Sequence, residues 1–376
     1  MKISFIQPHL KLYGGIRRII ELANRLTERG HDVTIFHSDG SPCEWMKCIA
    51  KIKDYKSVLK EEHDVLVLTH PPSDYPIFKK AKARLKIYYV LALYERSLLK
   101  GINLKICLPW DRHMLFIRNA LYSPYLILSN ATWMYYWLKK NMNIDSKLLL
   151  GGVNFEMFRP IEVKRNPNEI HILCSGEIRE RKGTKTILKA MEIVKKEVSK
   201  VALDTYYDKG ISQKDMAKKY SSADIFVDAQ WYAGWNNPVA EAMACKVPVV
   251  CTDIGGVRDF AFHEKTALLV PPEDPQAMAL AVLRLIRDDK LREKLRENAY
   301  KHIKTFDWDI SAENMEKILL SELNKYKEYS QNIRKQYRIV NFILENISNI
   351  LFIGYKIAIP IYRLIKRKKI KICEGE

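Results

Sequence analysis

The chain has 376 residues, enough for two domains of ordinary size or, at the limit, three. Hydrophobic residues make up 47% and charged residues 28%, which excludes a disordered tail protein, a collagen-like repeat and a small disulfide-stapled scaffold. Lys and Arg number 63 against 44 Asp and Glu, a net charge of +19, so anionic partners are favoured: nucleic acid, an acidic membrane face or a phosphorylated substrate.

Residues 3–6 read as a short apolar strand, followed by Gly14-Gly15 in a loop. Apolar residues at Ile16, Ile19, Ile20, Ala23 and Leu26 then mark one buried helix face, stopped at Gly30. Residues 32–36 resume as a strand, and 65–68, 87–91 and 126–128 are further buried-strand candidates separated by helical or loop segments. A second series opens at 170–174 and continues through 201–206, 225–227 and 248–251, with residues 160–168 as the linker. Two Rossmann-like parallel sheets facing each other across a cleft follow from this alternation, with ligands expected at the C-terminal strand ends.

The N-terminus has no apolar stretch long enough for a signal peptide. The seven Cys contain no C-x-x-C pair, and Cys107, Cys174, Cys245 and Cys251 sit in or beside apolar runs, as buried thiols do. Both features predict a reducing, cytoplasmic compartment and no zinc or disulfide framework. Residues 347–365 are rich in apolar residues but broken by Lys356, Pro360 and Arg363, and five basic residues follow between 366 and 371. That is a poor membrane span. It fits a helix lying on the anionic inner face of a membrane, or else a helix docked on the protein's own core with a solvated basic end.

The richest stretch is 223–272. Residues 224–227 form a strand, Asn236-Asn237-Pro238 starts a helix with Asn as N-cap, and Glu241 lies one turn in. Such a helix start offers free N–H groups and a positive dipole end to a diphosphate, and Glu241 can accept hydrogen bonds from a ribose diol. Residues 249–252 form the next strand, and Gly255-Gly256 permits close backbone approach to a ligand.

This segment resembles the donor site of the family 4 retaining glycosyltransferases, which have the GT-B fold. The likeness extends to Gly14-Gly15, to residues 126–130 (LILSN) and 151–160 (GGVNFEMFRP), to residues 175–183 (SGEIRERKG), which resemble a phosphate-contacting loop, and to residues 306–308 (FDW), which resemble the start of the helix that crosses back. The resemblance implies an N-terminal acceptor-side domain (1–158), a nucleotide-sugar donor domain (159–308), a crossing helix (309–330) and a basic amphipathic tail (331–376). It implies transfer of a sugar from a nucleoside-diphosphate sugar with retention of configuration, without metal or other cofactor, to a glycan or lipid-linked acceptor, in cell-surface polysaccharide or glycoconjugate synthesis. Lys182 matches the lysine that neutralises the leaving diphosphate, Glu241 the glutamate that holds the ribose, and His70 a histidine that touches the transferred sugar. A strand-end histidine hydrogen-bonded only to its neighbours is the alternative for His70. Gly15, Arg179, Arg181, Asn237 and Val239 complete the implied donor set, while Tyr94 and Glu95 are candidates for the acceptor side.

Two positions depart from the pattern. Ala233 stands where the first glutamate of the Glu-x7-Glu pair belongs, and Glu177 where an arginine follows the loop glycine; Arg179 or Arg181 would have to supply its charge. The stretch 201–223 is also short for the family. A non-catalytic nucleotide- or carbohydrate-binding relative and a sugar-nucleotide epimerase therefore stand as alternatives. No nucleic-acid-binding module is recognisable, so nucleic acid is not an expected partner.

Overall fold

The computed structural model describes residues 1–92, 112–166, 168–207 and 209–329. Tyr94, Glu95, Cys107 and the tail at 331–376 lie outside them.

The first sheet has seven parallel strands in the order β3-β2-β1-β4-β5-β6-β7: β1 (Lys2–Ile6), β2 (Asp32–His37), β3 (Lys51–Asp54), β4 (Glu62–Leu68), β5 (Lys82–Val90), β6 (Leu126–Ser129) and β7 (Lys147–Leu148). The central strands are buried on both faces, which is why they read as continuous apolar runs. Edge strands β3, with the sequence KIKD, and two-residue β7 carry too little apolar signal to be read beforehand. Helix α1 (Gly14–Glu28) joins β1 to β2 and buries the predicted stripe. It begins at Gly14, so the paired glycines form its first turn rather than a preceding loop. Gly30, at φ +83°, ends it. The remaining helices of this half are α2 (Tyr55–Val58), α3 (Pro71–Lys80), α4 (Arg112–Tyr122) and α5 (Thr132–Met142).

The second sheet has five strands in the order β12-β11-β10-β8-β9: β8 (Ile170–Cys174), β9 (Val201–Thr205), β10 (Ile225–Asp228), β11 (Val249–Thr252) and β12 (Leu268–Val270). Every pairing is parallel. Helices α6 (Thr184–Glu197), α7 (Met216–Ser221), α8 (Asn237–Ala244), α9 (Pro275–Arg287) and α10 (Asp289–Ile303) cover its two faces. Between β9 and β10 lie a loop, a 3-10 turn (Gln213–Asp215) and α7, with no extra strand among the described residues. The strand order reverses around β8, which places the switch point at the C-terminal ends of β8 and β10.

Two chain segments meet where the halves join. Val153 N–H donates to Phe306 O at 2.8 Å, and Val153 bridges Asp307. Gly152 has no room for a side chain, because a Cβ there would lie 2.7 Å from Trp308 N. Helix α11 (Trp308–Tyr329) then returns to the first half. It packs on α1 and β5, burying Trp308, Ala312, Met315, Leu319 and Leu323 in that core. Each large side chain buried on this stripe contributes about 1.5–3 kcal/mol, which anchors the crossing helix. No helix among the described residues is long and apolar enough to cross a membrane.

Candidate functional site

The loop after β8 bends back towards β10 through two glycines in the left-handed region, Gly176 (φ +70°) and Gly183 (φ +68°). A Cβ on Gly183 would run into the carbonyl of Ala229. This curl ends in a 3-10 turn, Glu180–Lys182, held by Lys182 N–H donating to Arg179 O at 2.8 Å. The Lys182 side chain is only 12% exposed, with Nζ 3.4 Å from Glu177 Oε2. Burial pulls its ammonium down to about 8; Asp228 and Glu241 oppose the shift, while Arg181 and Arg179 add to it. Arg179 pairs with the other Glu177 oxygen and lies 5.8 Å from the Tyr13 ring centroid. Arg181 lies 5.7 Å from the centroid of Tyr232. The departure at Glu177 is thus matched within the loop, where Arg179 neutralises the carboxylate.

Helix α8 starts beside this loop. Asn236 occupies the N-cap position, but its side chain does not cap the helix as expected. It turns instead into a buried network in which Asn236 Nδ2 donates to Asp228 Oδ1 at 2.8 Å. Gln230 Nε2 bridges Asp228 Oδ2 and Asn236 Oδ1, each at 3.0 Å. Asp228, at the end of β10, outcompetes the helix because a buried carboxylate needs its hydrogen bonds filled. No side chain caps the first-turn N–H groups, and no acidic residue lies in that turn. Glu241 follows one turn in, buried, with Oε2 accepting from Tyr220 Oη at 3.0 Å and Oε1 from Arg17. Val239 is fully buried in the second core, which leaves its backbone rather than its side chain for any ligand.

The opposing wall is the start of α1. Its N-cap residue, Tyr13, makes no side-chain cap, and its first turn also lacks an acidic residue. Asn237 Nδ2 donates to Gly14 O at 3.4 Å, and a Cβ on Gly14 would come within 2.8 Å of that same nitrogen. Gly15 fits against Leu91, whose Cδ1 would be 3.3 Å from an added Cβ. Two helix N-termini, both positive dipole ends, therefore face each other across the join, with Lys182 and Arg179 alongside.

Gly255-Gly256 has a packing role that the sequence reading did not foresee. Added side chains there would strike the Trp133 ring of α5 and the backbone of Ala233, so these glycines admit the other domain and a neighbouring loop. Trp133 Nε1 donates to Gly234 O at 2.9 Å, and Thr132 N–H to Asp259 Oδ2 at 3.0 Å, closing the same face. His70 is the N-cap residue of α3. Its Nδ1 lies 2.8 Å from Ser73 Oγ, which also donates to Asp74 Oδ1 at 2.6 Å. Both hydrogen bonds are local to the start of α3. Sequence reasoning missed Arg17, Gln213 and Tyr220, which surround Glu241. Only Arg17 carried a signal, being a cation in the first turn after a double glycine.

Residues 204–302 match the family Glycosyl transferases group 1. The D-inositol 3-phosphate glycosyltransferase of Jonesia denitrificans is 41% identical over 75 residues, which cover 20% of this chain and 18% of that one. The chain spans less than half the length of this and the next curated relatives it matches. Over both domains the fold is similar to the sucrose-phosphate synthase of Thermosynechococcus elongatus (TM-score 0.69, 16% identity, 86% of this chain and 99% of that one). It is also similar to Anabaena HepE, solved with UDP and glucose (TM-score 0.65, 13% identity, 85% and 100%). The chain has the GT-B fold and resembles the group 1 glycosyl transferases, in sequence across the domain that carries Glu241 and in architecture across both.

Proposed function

We propose that the chain is a glycosyltransferase that takes a sugar from a nucleoside-diphosphate sugar and passes it, with retention and without a metal or other cofactor, to a glycan or lipid-linked acceptor. The observation that carries this reading is the pair of uncapped helix N-termini, at Gly14 and Asn237, meeting beside the buried Lys182. Free N–H groups, aligned dipoles and an ammonium are what a diphosphate leaving group requires. Relatives' solved complexes point the same way: Anabaena HepE is solved with UDP-glucose as well as UDP.

In this scheme α8 and Lys182 hold the diphosphate, with Gly15, Arg179, Arg181, Asn237 and the backbone at Val239 completing its surroundings. Glu241 receives the ribose, and His70 lies on the sugar side. As the glycosidic bond breaks, charge grows on the leaving phosphate oxygen, and Lys182 stabilises it more than the ground state. The same oxygen takes the acceptor hydroxyl's proton on the face it leaves, so no protein nucleophile is required. The basic tail at 331–376 would bring the enzyme to an anionic membrane where a lipid-linked acceptor sits. Incubating the full chain with nucleoside-diphosphate sugars and lipid-linked acceptors tests the proposal. The expected result is release of the nucleoside diphosphate with a product of unchanged anomeric configuration; hydrolysis-free inertness towards every donor would oppose it.

Ala233 favours a second reading, a relative that binds nucleotide without turning it over. It predicts binding by the native chain and transfer only after A233E and E177R are introduced together.

A further inference from the structure

Arg17 sits in the first turn of α1, yet both of its polar contacts reach into the second domain. One guanidinium nitrogen donates to Glu241 Oε1 and another to Gln213 Oε1. The group lies between aromatic faces, 5.3 Å from the Phe158 ring centroid and 5.9 Å from that of Trp45, and the side chain is 12% exposed. Glu241 is equally enclosed: Oε2 is taken by Tyr220, and the carboxylate side chain is 9% exposed. The cavity lined by Arg17, Glu21, Asn154, Asn237 and Glu241 measures about 10 Å³, room for one water.

On the reading that Glu241 holds the donor's ribose, this geometry has a consequence. A diol and the Arg17 guanidinium cannot share Glu241 Oε1 in a space of that size, so the ribose enters only as Arg17 leaves. A guanidinium held in so closed a place needs another anion once its carboxylate is lost. The anion that arrives with the ribose is the diphosphate, carried on its 5′ carbon. Its proposed seat, at the start of α8, faces the turn of α1 that carries Arg17.

We infer that Arg17 is a donor-binding residue supplied by the first domain, one that exchanges Glu241 for the diphosphate of the incoming nucleotide. The exchange makes the site selective for nucleoside diphosphates over nucleosides, because only a ligand that brings its own anion repays the broken pair. It also ties donor binding to the contact between the two domains, since the partners of Arg17 before the exchange lie on the second domain and its stem on the first.

The test is calorimetric titration of the full chain with UDP, GDP, ADP and TDP and with the corresponding nucleosides. Wild type should bind one diphosphate well and its nucleoside at least a hundredfold more weakly. R17A should lose tenfold or more of the diphosphate affinity while holding or raising that for the nucleoside, so the preference shrinks. R17K, which keeps the charge, should retain most of the preference, and R17Q should behave as R17A; these two decide the matter if R17A does not fold. Equal changes for diphosphate and nucleoside in R17A and R17Q, whether both tighter, both weaker or neither altered, would overturn the inference and leave the donor-site reading standing. Failure of wild type to bind any of the four diphosphates would overturn both.

Discussion

Lys182 Nζ lies 3.4 Å from Glu177 Oε2, so the cation proposed to meet the donor's diphosphate already rests against a buried carboxylate. Glu177 also holds Arg179. The acidic residue therefore restrains two cations in place and competes with the ligand for them. Replacing it by Gln should tighten nucleoside-diphosphate binding roughly three- to tenfold, since a partly screened ion pair is worth on the order of 1 kcal/mol. The same change should lower stability, because Lys182 keeps its burial and loses its neighbour. Titration calorimetry and urea unfolding of E177Q check the two directions; weaker binding would show that Glu177 acts mainly by positioning Lys182.

Burial sets the working pH of that lysine. With its ammonium lowered to about 8, Lys182 is charged at neutrality and loses its proton as pH rises through 8. Diphosphate affinity should be level from about pH 6.5 to 7.5 and fall above 8. K182R, whose guanidinium stays charged, should remove that fall. An identical decline in K182R would assign the titration to another group.

Asp74 offers a pH effect of the opposite kind. Burial raises its carboxyl from 3.8 to about 6, against hydrogen bonds from Ser73 and Tyr55 that favour the charge, and Oδ2 has no partner among the described residues. The folded state thus holds the proton more tightly than the unfolded chain does. Its stabilising contribution is complete below about pH 4 and is lost as pH climbs through 6. D74N, neutral throughout, should flatten that part of the stability curve, with a difference from wild type of up to about 3 kcal/mol across it. Urea unfolding from pH 4 to 7 measures this, and parallel curves would refute it.

Arg18 holds the join between the domains. It is buried, donates to Tyr89 Oη at 2.8 Å, and its guanidinium lies within 6 Å of the rings of Tyr89, Trp235 and Trp308. R18A should cost about 2–4 kcal/mol by leaving a hole among three aromatic faces, and R18K should recover little of it, lacking the flat stacking surface. Thermal and urea unfolding decide.

Much of this was legible beforehand, for identifiable reasons. Doubly buried parallel strands such as β1 and β4 print themselves as apolar runs, and α1 prints its stripe and its Gly30 stop. Lys182 and Glu241 stand out because the glycine-bounded loop at 175–183 and the Asn-Asn-Pro helix start leave local signatures. Relations between distant segments were not legible. Asn236 has the composition of an N-cap, yet Asp228, eight residues earlier, claims its side chain. Gly255 has the look of a ligand loop, yet the residue that needs its space is Trp133, from the other domain. Arg17 and Glu241 are 224 positions apart, and nothing in either neighbourhood announces the other. Such pairings are decided by how the two sheets come together.

Gly183 shows the converse, a single position whose local requirement is absolute. At φ +68°, with the Ala229 carbonyl where a Cβ would go, G183A should destabilise the second domain by about 2 kcal/mol or more and displace Lys182. Unfolding together with nucleotide titration of the variant tests both parts.

The most direct test of a diphosphate site built on Lys182 is the thermal shift of the full chain with UDP, GDP, ADP, TDP and CMP, run beside K182A. One nucleoside diphosphate at a hundred times its Kd should stabilise wild type by about 2.7 kcal/mol and leave K182A unmoved. No shift with any nucleotide, or equal shifts in wild type and K182A, would contradict it.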